Sequence, residues 1–218
     1  MVMKYPKVPV IIQARYSSTR FPGKILRKIN NKTILEILIN RLRRSKNISN
    51  IIVACSTNRK DKMIVNLCKA IGVKFFCGPE TNVLKRYYLA AKKFNCKHVI
   101  RITSDCPLID SDILDKLLNN FFKNNADYAS NTYPPTYPDG LDLEIFKFEN
   151  LEQAFKNSKS NYDREHVTPY IKKRAKNIYN LRYSSDFSWM RLTLDERDDF
   201  KLIKKIVSNF KSKKYFSF

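Results

Sequence analysis

Four strand-like runs, each followed by a helix-like run, fill residues 8–123 of the chain. The strand signals are short apolar runs rich in β-branched residues, and the helical signals repeat apolar residues at spacings of three and four. The strands are predicted over residues 8–14, 51–55, 73–77 and 98–102, and the helices over residues 33–45, 61–71, 82–94 and 111–123. Such alternation predicts an α/β fold, with a mainly parallel sheet covered by helices on both faces.

Beyond residue 125 the regular alternation ends. Further strands are predicted over residues 128–130, 141–148, 178–183 and 189–194, and further helices over residues 151–158, 164–173 and 198–210. No internal repeat or linker divides the chain, so a single domain over residues 1–218 is expected. In a parallel sheet, ligands bind beyond the carboxyl ends of the strands. The two polar loops after the first and fourth strands, residues 15–24 and 103–110, are therefore the first candidates for a site.

The net charge of +22, from 42 Lys and Arg against 20 Asp and Glu, would attract polyanions. Lys and Asn recur throughout the chain, however, and no basic tail stands apart, so nucleic-acid binding is not expected. No apolar run reaches the roughly twenty residues of a membrane span, and the N-terminal residues lack the apolar core of a secretory signal. A cytoplasmic protein is expected. The five cysteines form no metal-binding or disulfide pattern and are expected to be reduced and mostly buried.

The first loop combines cations and hydroxyls directly after a buried strand. Its phosphate-binding candidates are Arg15, Ser17, Ser18, Thr19, Arg20 and Lys24. Hydroxyls and backbone amides donate hydrogen bonds to phosphate oxygens, and Arg and Lys neutralise their charge. The loop lacks the spacing of a Walker motif. On these residues alone, a phosphate site and an ordinary solvated turn remain equal alternatives.

Acidic residues follow two of the predicted strands. Asp105 can hold Mg²⁺ or cap the turn before Pro107, and the residues alone favour the cap. Asp195 lies where a second carboxylate could meet Asp105, whereas Asp198 and Asp199 are suited to the first turn of the last helix. Asp110 and Asp112 have the DxD spacing of sugar-nucleotide glycosyltransferases, but they begin a predicted helix, which favours capping.

A third group of polar residues lies in the later loops. Its members, suited to binding sugar hydroxyls or a sugar acid, are Asp139, Asp142, Glu144, Arg164, Glu165 and His166. A lone histidine has many uses, so a structural role for His166 on a helix face stays open.

Five segments in register resemble one family. They are Ile11-Ile12-Gln13-Ala14-Arg15 with Ser18-Thr19-Arg20-Phe21-Pro22-Gly23-Lys24, Asp105-Cys106-Pro107-Leu108-Ile109-Asp110, Asp139-Gly140-Leu141-Asp142, Arg164-Glu165-His166-Val167-Thr168-Pro169-Tyr170, and Leu194-Asp195-Glu196. Together they resemble the spore coat polysaccharide biosynthesis protein F-like cytidylyltransferases, which are related to the acylneuraminate cytidylyltransferases. The resemblance implies a Rossmann-like nucleotidyltransferase fold, a GT-A-like three-layer sandwich, with residues 125–195 as a sugar-binding and dimerisation insert.

The resemblance also implies roles for individual residues. The nucleotide would be bound by Ala14, Arg15, Ser17, Ser18, Thr19, Arg20, Lys24, Thr103 and Asp105. Arg15, Lys24 and Asp105 would be catalytic, and Asp105 and Asp195 would bind Mg²⁺. The implied reaction transfers CMP from CTP to an acidic or acylated sugar and releases pyrophosphate, in a homodimer that serves surface polysaccharide or glycan synthesis.

Three other functions remain open at this stage. Members of this branch have also been labelled glycosyltransferases, which use a similar fold. A basic nucleic-acid-binding protein would use the same scaffold without its chemistry. A non-catalytic nucleotide-binding protein is the third, because Ser17 and Ser104 stand where the family usually has glycine.

Overall fold

The computed structural model describes residues 5–210 and 216–218, and its elements follow the predicted alternation. The strands are β1 (Val8–Gln13), β2 (Lys28–Ile29), β3 (Lys32–Thr33), β4 (Ile48–Ser56), β5 (Lys74–Gly78), β6 (His98–Thr103), β7 (Tyr128–Ser130), β8 (Glu144–Lys147) and β9 (Ile178–Asn180). The helices are α1 (Ile34–Leu42), α2 (Lys62–Ala70), α3 (Val83–Lys93), α4 (Ser111–Lys123), α5 (Phe148–Asn157), α6 (Asn161–His166), α7 (Pro169–Arg174) and α8 (Arg197–Asn209). All four predicted strand–helix units are therefore confirmed. Residues 1–4 and 211–215 of the predicted domain lie outside the described residues.

Seven strands form one sheet in the order β5-β4-β1-β6-β8-β7-β9. The first four are mutually parallel, whereas β8 runs antiparallel to both of its neighbours. Along β1, Val10, Ile11 and Ile12 are all buried. This strand therefore reads as a continuous apolar run, as expected where helices cover both faces of the sheet.

Successive side chains of β1 point to opposite faces of the sheet and enter different cores. Val10 and Ile12 belong to one core, which α1, α2, α4 and α8 cover, and Ile11 belongs to the other, which α3, α5 and α7 cover. Two helical layers on a mainly parallel sheet confirm the predicted three-layer sandwich. Four of the five free cysteines are buried, as expected, and Cys77 is exposed.

The later part of the chain departs from the predictions in two places. The strand predicted over residues 189–194 is wrong, because the segment makes one isolated bridge, between Asp139 and Arg191, and Met190 closes a turn onto Phe187. The single helix predicted over residues 164–173 is two helices, since Val167 has a φ of 69° that an α-helix cannot contain. The predicted cap at Asp110 is confirmed at the start of α4, and Thr33 with Glu36 forms a capping box at the start of α1.

Asparagine takes several backbone positions that commonly hold glycine. The β2–β3 hairpin, which the sequence analysis missed, turns at Asn30 and Asn31 with φ values of 49° and 65°. Asn95 and Asn125 have φ values of 50° and 47° just after α3 and α4. Asparagine enters this left-handed region more readily than other residues that carry a side chain, and left-handed residues commonly end helices. The chain thus forms these turns although it contains only four glycines.

No helix among the described residues combines the length and the apolar character needed to cross a membrane.

Gly140 is the glycine that the packing most requires. Its φ is 103°, and an added Cβ would lie 2.6 Å from the carbonyl carbon of Leu192 and 2.7 Å from the amide nitrogen of Thr193. Gly72 also has a positive φ, of 64°, but an added Cβ there meets open space. The two positions therefore separate backbone strain from steric clash.

We expect Gly140→Ala to lower the free energy of unfolding by about 3 kcal/mol, since it adds a backbone clash to the strained φ. Gly72→Ala should cost about 1 kcal/mol, because only the left-handed conformation is penalised. Urea unfolding followed by circular dichroism measures both. Equal losses for the two variants would contradict the assignment of the clash.

Candidate active site

A cavity of about 360 Å³ opens beyond the carboxyl ends of β1 and β6. It collects every residue predicted to bind the nucleotide, as well as Asp195, Glu165 and His166 from the later predictions. The residues that line it are Gln13, Ala14, Arg15, Ser17, Ser18, Thr19, Arg20, Lys24, Val83, Arg86, Arg101, Thr103, Ser104, Asp105, Glu165, His166 and Asp195. The two polar post-strand loops therefore face the same space.

The loop over residues 15–24 is held in a defined shape by its own backbone. Gly23 has a φ of 67°, and its N–H donates to the carbonyl of Tyr16 at 2.9 Å. Ser18 Oγ accepts from the N–H of Phe21. Neither Ser17 nor Ser104 is among the residues with positive φ. The φ angles at these two positions therefore do not require glycine.

Two carboxylates that the sequence analysis missed anchor this loop from outside. Asp61 is buried and accepts from the N–H of Tyr16 and from the N–H and hydroxyl of Ser56. Glu80 accepts from the Ser17 hydroxyl and from the Asn58 amide, and these hydrogen bonds lower the pKa of Glu80. Both residues lie between a strand and the helix that follows it, which is the one signal in the sequence that could have identified them.

Lys24 joins the two predicted metal-binding carboxylates. It is 8% exposed, and its Nζ lies 3.3 Å from Asp105 Oδ2 and 2.9 Å from Asp195 Oδ1. The N–H of Leu194 donates to the carbonyl of Asp105 at 2.7 Å, which brings the late loop against the early one. The predicted meeting of Asp105 with Asp195 therefore takes place across a lysine.

Asp195 is surrounded by positive charge. Its Oδ2 lies 3.1 Å from Arg20 and 3.1 Å from Arg191, while Oδ1 contacts Lys24. Partial burial disfavours its charged form, but the hydrogen bond and charge of Lys24, with the two arginines, hold the pKa of Asp195 below its usual value. Asp198 and Asp199 lie in the first turn of α8, where Asp199 completes a capping box, as expected.

A second cavity of about 230 Å³ adjoins the first and shares Arg101, Thr103 and His166 with it. Its further lining residues are Thr132, Asp142, Glu144, Tyr162, Thr168, Pro169 and Lys172. Four of the six predicted sugar-binding residues line one or both cavities, namely Asp142, Glu144, Glu165 and His166, and the other two line neither. Asp139 is exposed and accepts from the hydroxyl of Thr193, and Arg164 is exposed and lines neither cavity.

Glu144 is the centre of a buried polar network. It forms ion pairs with Arg101 and with Lys172, and it accepts from the hydroxyls of Tyr128 and Thr168. Burial alone would raise its pKa, but the two cations and the hydroxyl donors lower the pKa of Glu144 to about 2. Both of its oxygens are occupied, so its evident role is to fix the position of Arg101 rather than to present a free oxygen.

Two buried arginines extend the first cavity beyond what the sequence analysis identified. Arg86 donates to the carbonyls of Pro79 and Glu80, and Arg101 donates to Gln13 and Glu144. In the described structure the Nε atoms of both arginines are buried without a hydrogen-bond partner. Arginines are scattered through this basic chain, so no sequence pattern distinguished these two.

Asp142 is the carboxyl group of the second cavity whose pKa is raised, whereas that of Glu144 is lowered. Burial, and then the charges of Asp139, Glu144 and Asp105, raise the pKa of Asp142 to about 6. The backbone N–H of Gly140 acts in the opposite direction. A carboxyl of this kind can accept or donate a hydrogen bond near neutral pH, which suits contact with a hydroxyl.

Solved structures with the same architecture include a cytidylyltransferase from Leptospira borgpetersenii. Its TM-score is 0.91 at 36% sequence identity, over 98% of this chain and 91% of that one. The CMP:2-keto-3-deoxy-manno-octonic acid synthetase complexed with CTP has a TM-score of 0.69 at 15% identity, over 93% of this chain and 99% of that one, a likeness of fold alone. The fold is therefore that of the Rossmann-like nucleotidyltransferases.

The family model described as Cytidylyltransferase matches residues 9–216. The spore coat polysaccharide biosynthesis protein SpsF of Bacillus subtilis is 31% identical over 214 residues, which cover 90% of this chain and 84% of that protein. The chain belongs to the cytidylyltransferase family, and it is an enzyme of the CTP-using nucleotidyltransferase class.

The network around Glu144 yields a stability prediction. Glu144→Gln keeps the side-chain volume but leaves Arg101 and Lys172 without their carboxylate, so we expect a loss of about 3 kcal/mol in the free energy of unfolding. Glu152→Gln, which breaks an exposed pair with Lys156, is the matched control and should lose far less. Chemical denaturation measures both. Similar losses would show that the buried network does not stabilise the fold.

Asp142 yields a prediction of pH dependence. Because its folded pKa is raised to about 6 from the usual 3.8 of an aspartate, the folded state binds this proton more tightly than the unfolded chain does. Its contribution to stability is therefore complete below pH 4 and is lost as the pH rises through 6. Asp142→Asn should remove about 2 kcal/mol of this decline, which unfolding at several pH values measures. An unchanged pH profile would refute the assignment.

Proposed function

We propose that this enzyme transfers CMP from CTP to a sugar and releases pyrophosphate, by breaking the bond between the α- and β-phosphates of the nucleotide. The product would serve surface polysaccharide or glycan synthesis. The observation that carries the proposal is the meeting of Lys24, Asp105 and Asp195 in one cavity of a cytidylyltransferase scaffold. Cations from the first loop and carboxylates from two other segments are the groups that a metal–triphosphate complex requires.

The nucleotide would lie in the larger cavity. Arg15, Arg20 and Lys24 line it and would neutralise the triphosphate. The hydroxyls of the first loop would donate to phosphate oxygens, although that of Ser17 first has to leave Glu80. Ala14 and Thr103 close the cavity at the ends of β1 and β6.

Asp105 and Asp195 would hold Mg²⁺. The fit rests on their donor chemistry and on Lys24, because its ammonium already lies between one oxygen of each carboxylate. The described residues contain no group of three or more candidate protein ligands, so phosphate and water would complete the coordination, as Mg²⁺ commonly requires. When bound, the ion would neutralise charge that develops on the phosphates.

The sugar would lie in the smaller cavity. Asp142 and His166 line it and can bind hydroxyls, while Lys172 and Arg101 provide positive charge toward an acidic group. The names of the SpsF relative and of the sugar-acid synthetase support a polysaccharide role and an acidic sugar. Glu165 lines the larger cavity next to His166, which lines both cavities. A homodimer and a cytoplasmic location remain predictions.

In the proposed reaction a sugar hydroxyl attacks the α-phosphorus in line. The new oxygen–phosphorus bond forms as the bond from the α-phosphorus to the oxygen that bridges it to the β-phosphate breaks. The hydroxyl proton passes to solvent water, and pyrophosphate leaves with the bridging oxygen and its electron pair. Arg15, Arg20 and Lys24 stabilise the charge on the transferring and leaving groups. The protein therefore contributes position and electrostatics more than covalent chemistry.

The glycosyltransferase alternative has less support, because one carboxylate oxygen of Asp110 accepts hydrogen bonds from the N–H groups of Asp112 and Ile113 at the start of α4. Its DxD spacing is thereby explained as a helix cap.

A pyrophosphate-release assay tests the proposed reaction. Four nucleoside triphosphates are combined with a panel of acidic, acylated and amino sugars, and we expect release with CTP and an acidic sugar. Asp105→Asn should lower the rate about a hundredfold or more, since a charged group is lost from the transition state. Asp112→Asn, an exposed carboxylate at the start of α4, is the control and should keep the rate.

Consumption of a preformed nucleotide sugar, with no pyrophosphate from any triphosphate, would replace this proposal by the glycosyltransferase. Nucleotide binding without turnover over the whole panel would favour the non-catalytic alternative.

A further inference from the structure

The ammonium of Lys24 occupies the position between the two carboxylates that would hold a divalent cation. Asp105 Oδ2 and Asp195 Oδ1 lie 3.3 Å and 2.9 Å from Lys24 Nζ. The second oxygen of Asp195 contacts Arg20 and Arg191. In the described structure both oxygens of Asp195 therefore face protein cations, and the ammonium lies on the side that faces Asp105.

A divalent cation and this ammonium cannot share the two carboxylates. Mg²⁺ binds carboxylate oxygens at 2.0–2.1 Å, so an ion that bridges Asp105 and Asp195 would lie in the space of Lys24 Nζ. Two positive charges at such a distance also repel each other. Lys24 must therefore move before a cation can bridge the pair.

The same cavity offers Lys24 another anion. Lys24 lines it together with Arg15 and Arg20, and a bound triphosphate would place negative oxygens among the three cations. A buried lysine keeps its charge only where an anion compensates it. A phosphate oxygen can replace a carboxylate in that role at little cost.

We propose that Lys24 is an exchangeable internal cation, which neutralises Asp105 and Asp195 in the free enzyme and passes to the triphosphate when the metal–nucleotide complex binds. The exchange couples the binding of the divalent cation to the binding of the nucleotide. The free protein binds divalent cations weakly, and the bound triphosphate draws the Lys24 ammonium away from the two carboxylates. This inference rests on the proposed function for the identity of the anion, but its central prediction concerns the protein without nucleotide.

The test is a titration of the nucleotide-free protein with Mn²⁺, followed by electron paramagnetic resonance of the unbound ion. Lys24→Met keeps the length of the side chain and removes its charge, so we expect Mn²⁺ to bind at least tenfold more tightly than to the wild type. Lys24→Arg retains a cation and should stay as weak as the wild type. Adding Asp195→Asn to Lys24→Met should abolish the gain.

Arg191→Met is the matched control, because it removes a cation from the far oxygen of Asp195 and leaves Lys24 in place. It should change Mn²⁺ affinity less than threefold. An equal gain in Mn²⁺ affinity in both Met variants would show an effect of net charge and would overturn the exchange. Unchanged Mn²⁺ affinity in Lys24→Met would overturn it as well. The melting temperature with and without Mn²⁺ is a second readout, and the ion should raise it only in folded Lys24→Met.

The two proposals fail separately. If Lys24→Met binds Mn²⁺ more tightly but the wild-type protein releases no pyrophosphate from any triphosphate, the exchange is supported and cytidylyl transfer is rejected. If the wild-type protein releases pyrophosphate from CTP but Lys24→Met binds Mn²⁺ no more tightly, cytidylyl transfer is supported and the exchange is rejected.

Discussion

The charge balance around Lys24 is the interaction on which the site depends. Parallel strands bring their carboxyl ends to one edge, and the pairing of Gln13 with Thr103 places the loops after β1 and β6 side by side. One loop supplies the lysine and the other supplies Asp105. The segment that carries Asp195 has little regular structure of its own, and the backbone bond from Leu194 to Asp105 and the ion pairs of Asp195 hold it at the site.

The parts of the fold that sequence predicted best are those set by local periodicity. The first half repeats a strand and a helix, and each element buries a face large enough to leave a clear pattern. The start of α4 was also predictable, since the cap formed by Asp110 is a local arrangement. The short hairpin of β2 and β3, with two residues in each strand, is too small to leave a pattern.

The site was predictable where its residues follow a strand directly and less so where tertiary contacts define it. The first loop and Asp105 could be found because they follow β1 and β6. The roles of Asp61 and Glu80 depend on Tyr16 and Ser17, which are distant in sequence and which periodicity does not reveal. Glu144 lies at the predicted place, but its buried contacts to Arg101 and Lys172 give it a structural role that its residue type alone does not distinguish from ligand binding.

The left-handed asparagines have a consequence for how sequences of this fold are compared. Asn95 and Asn125 end helices in a conformation for which glycine is the common choice, and Ser17 and Ser104 stand at conventional φ where relatives usually have glycine. The absence of glycine therefore has two different meanings. At Asn95 and Asn125 another residue that tolerates the left-handed region takes the position, whereas at Ser17 and Ser104 the φ angle does not require that tolerance. Neither case strains the backbone of this chain beyond what its residues tolerate, so the small number of glycines is not in itself a sign of lost function.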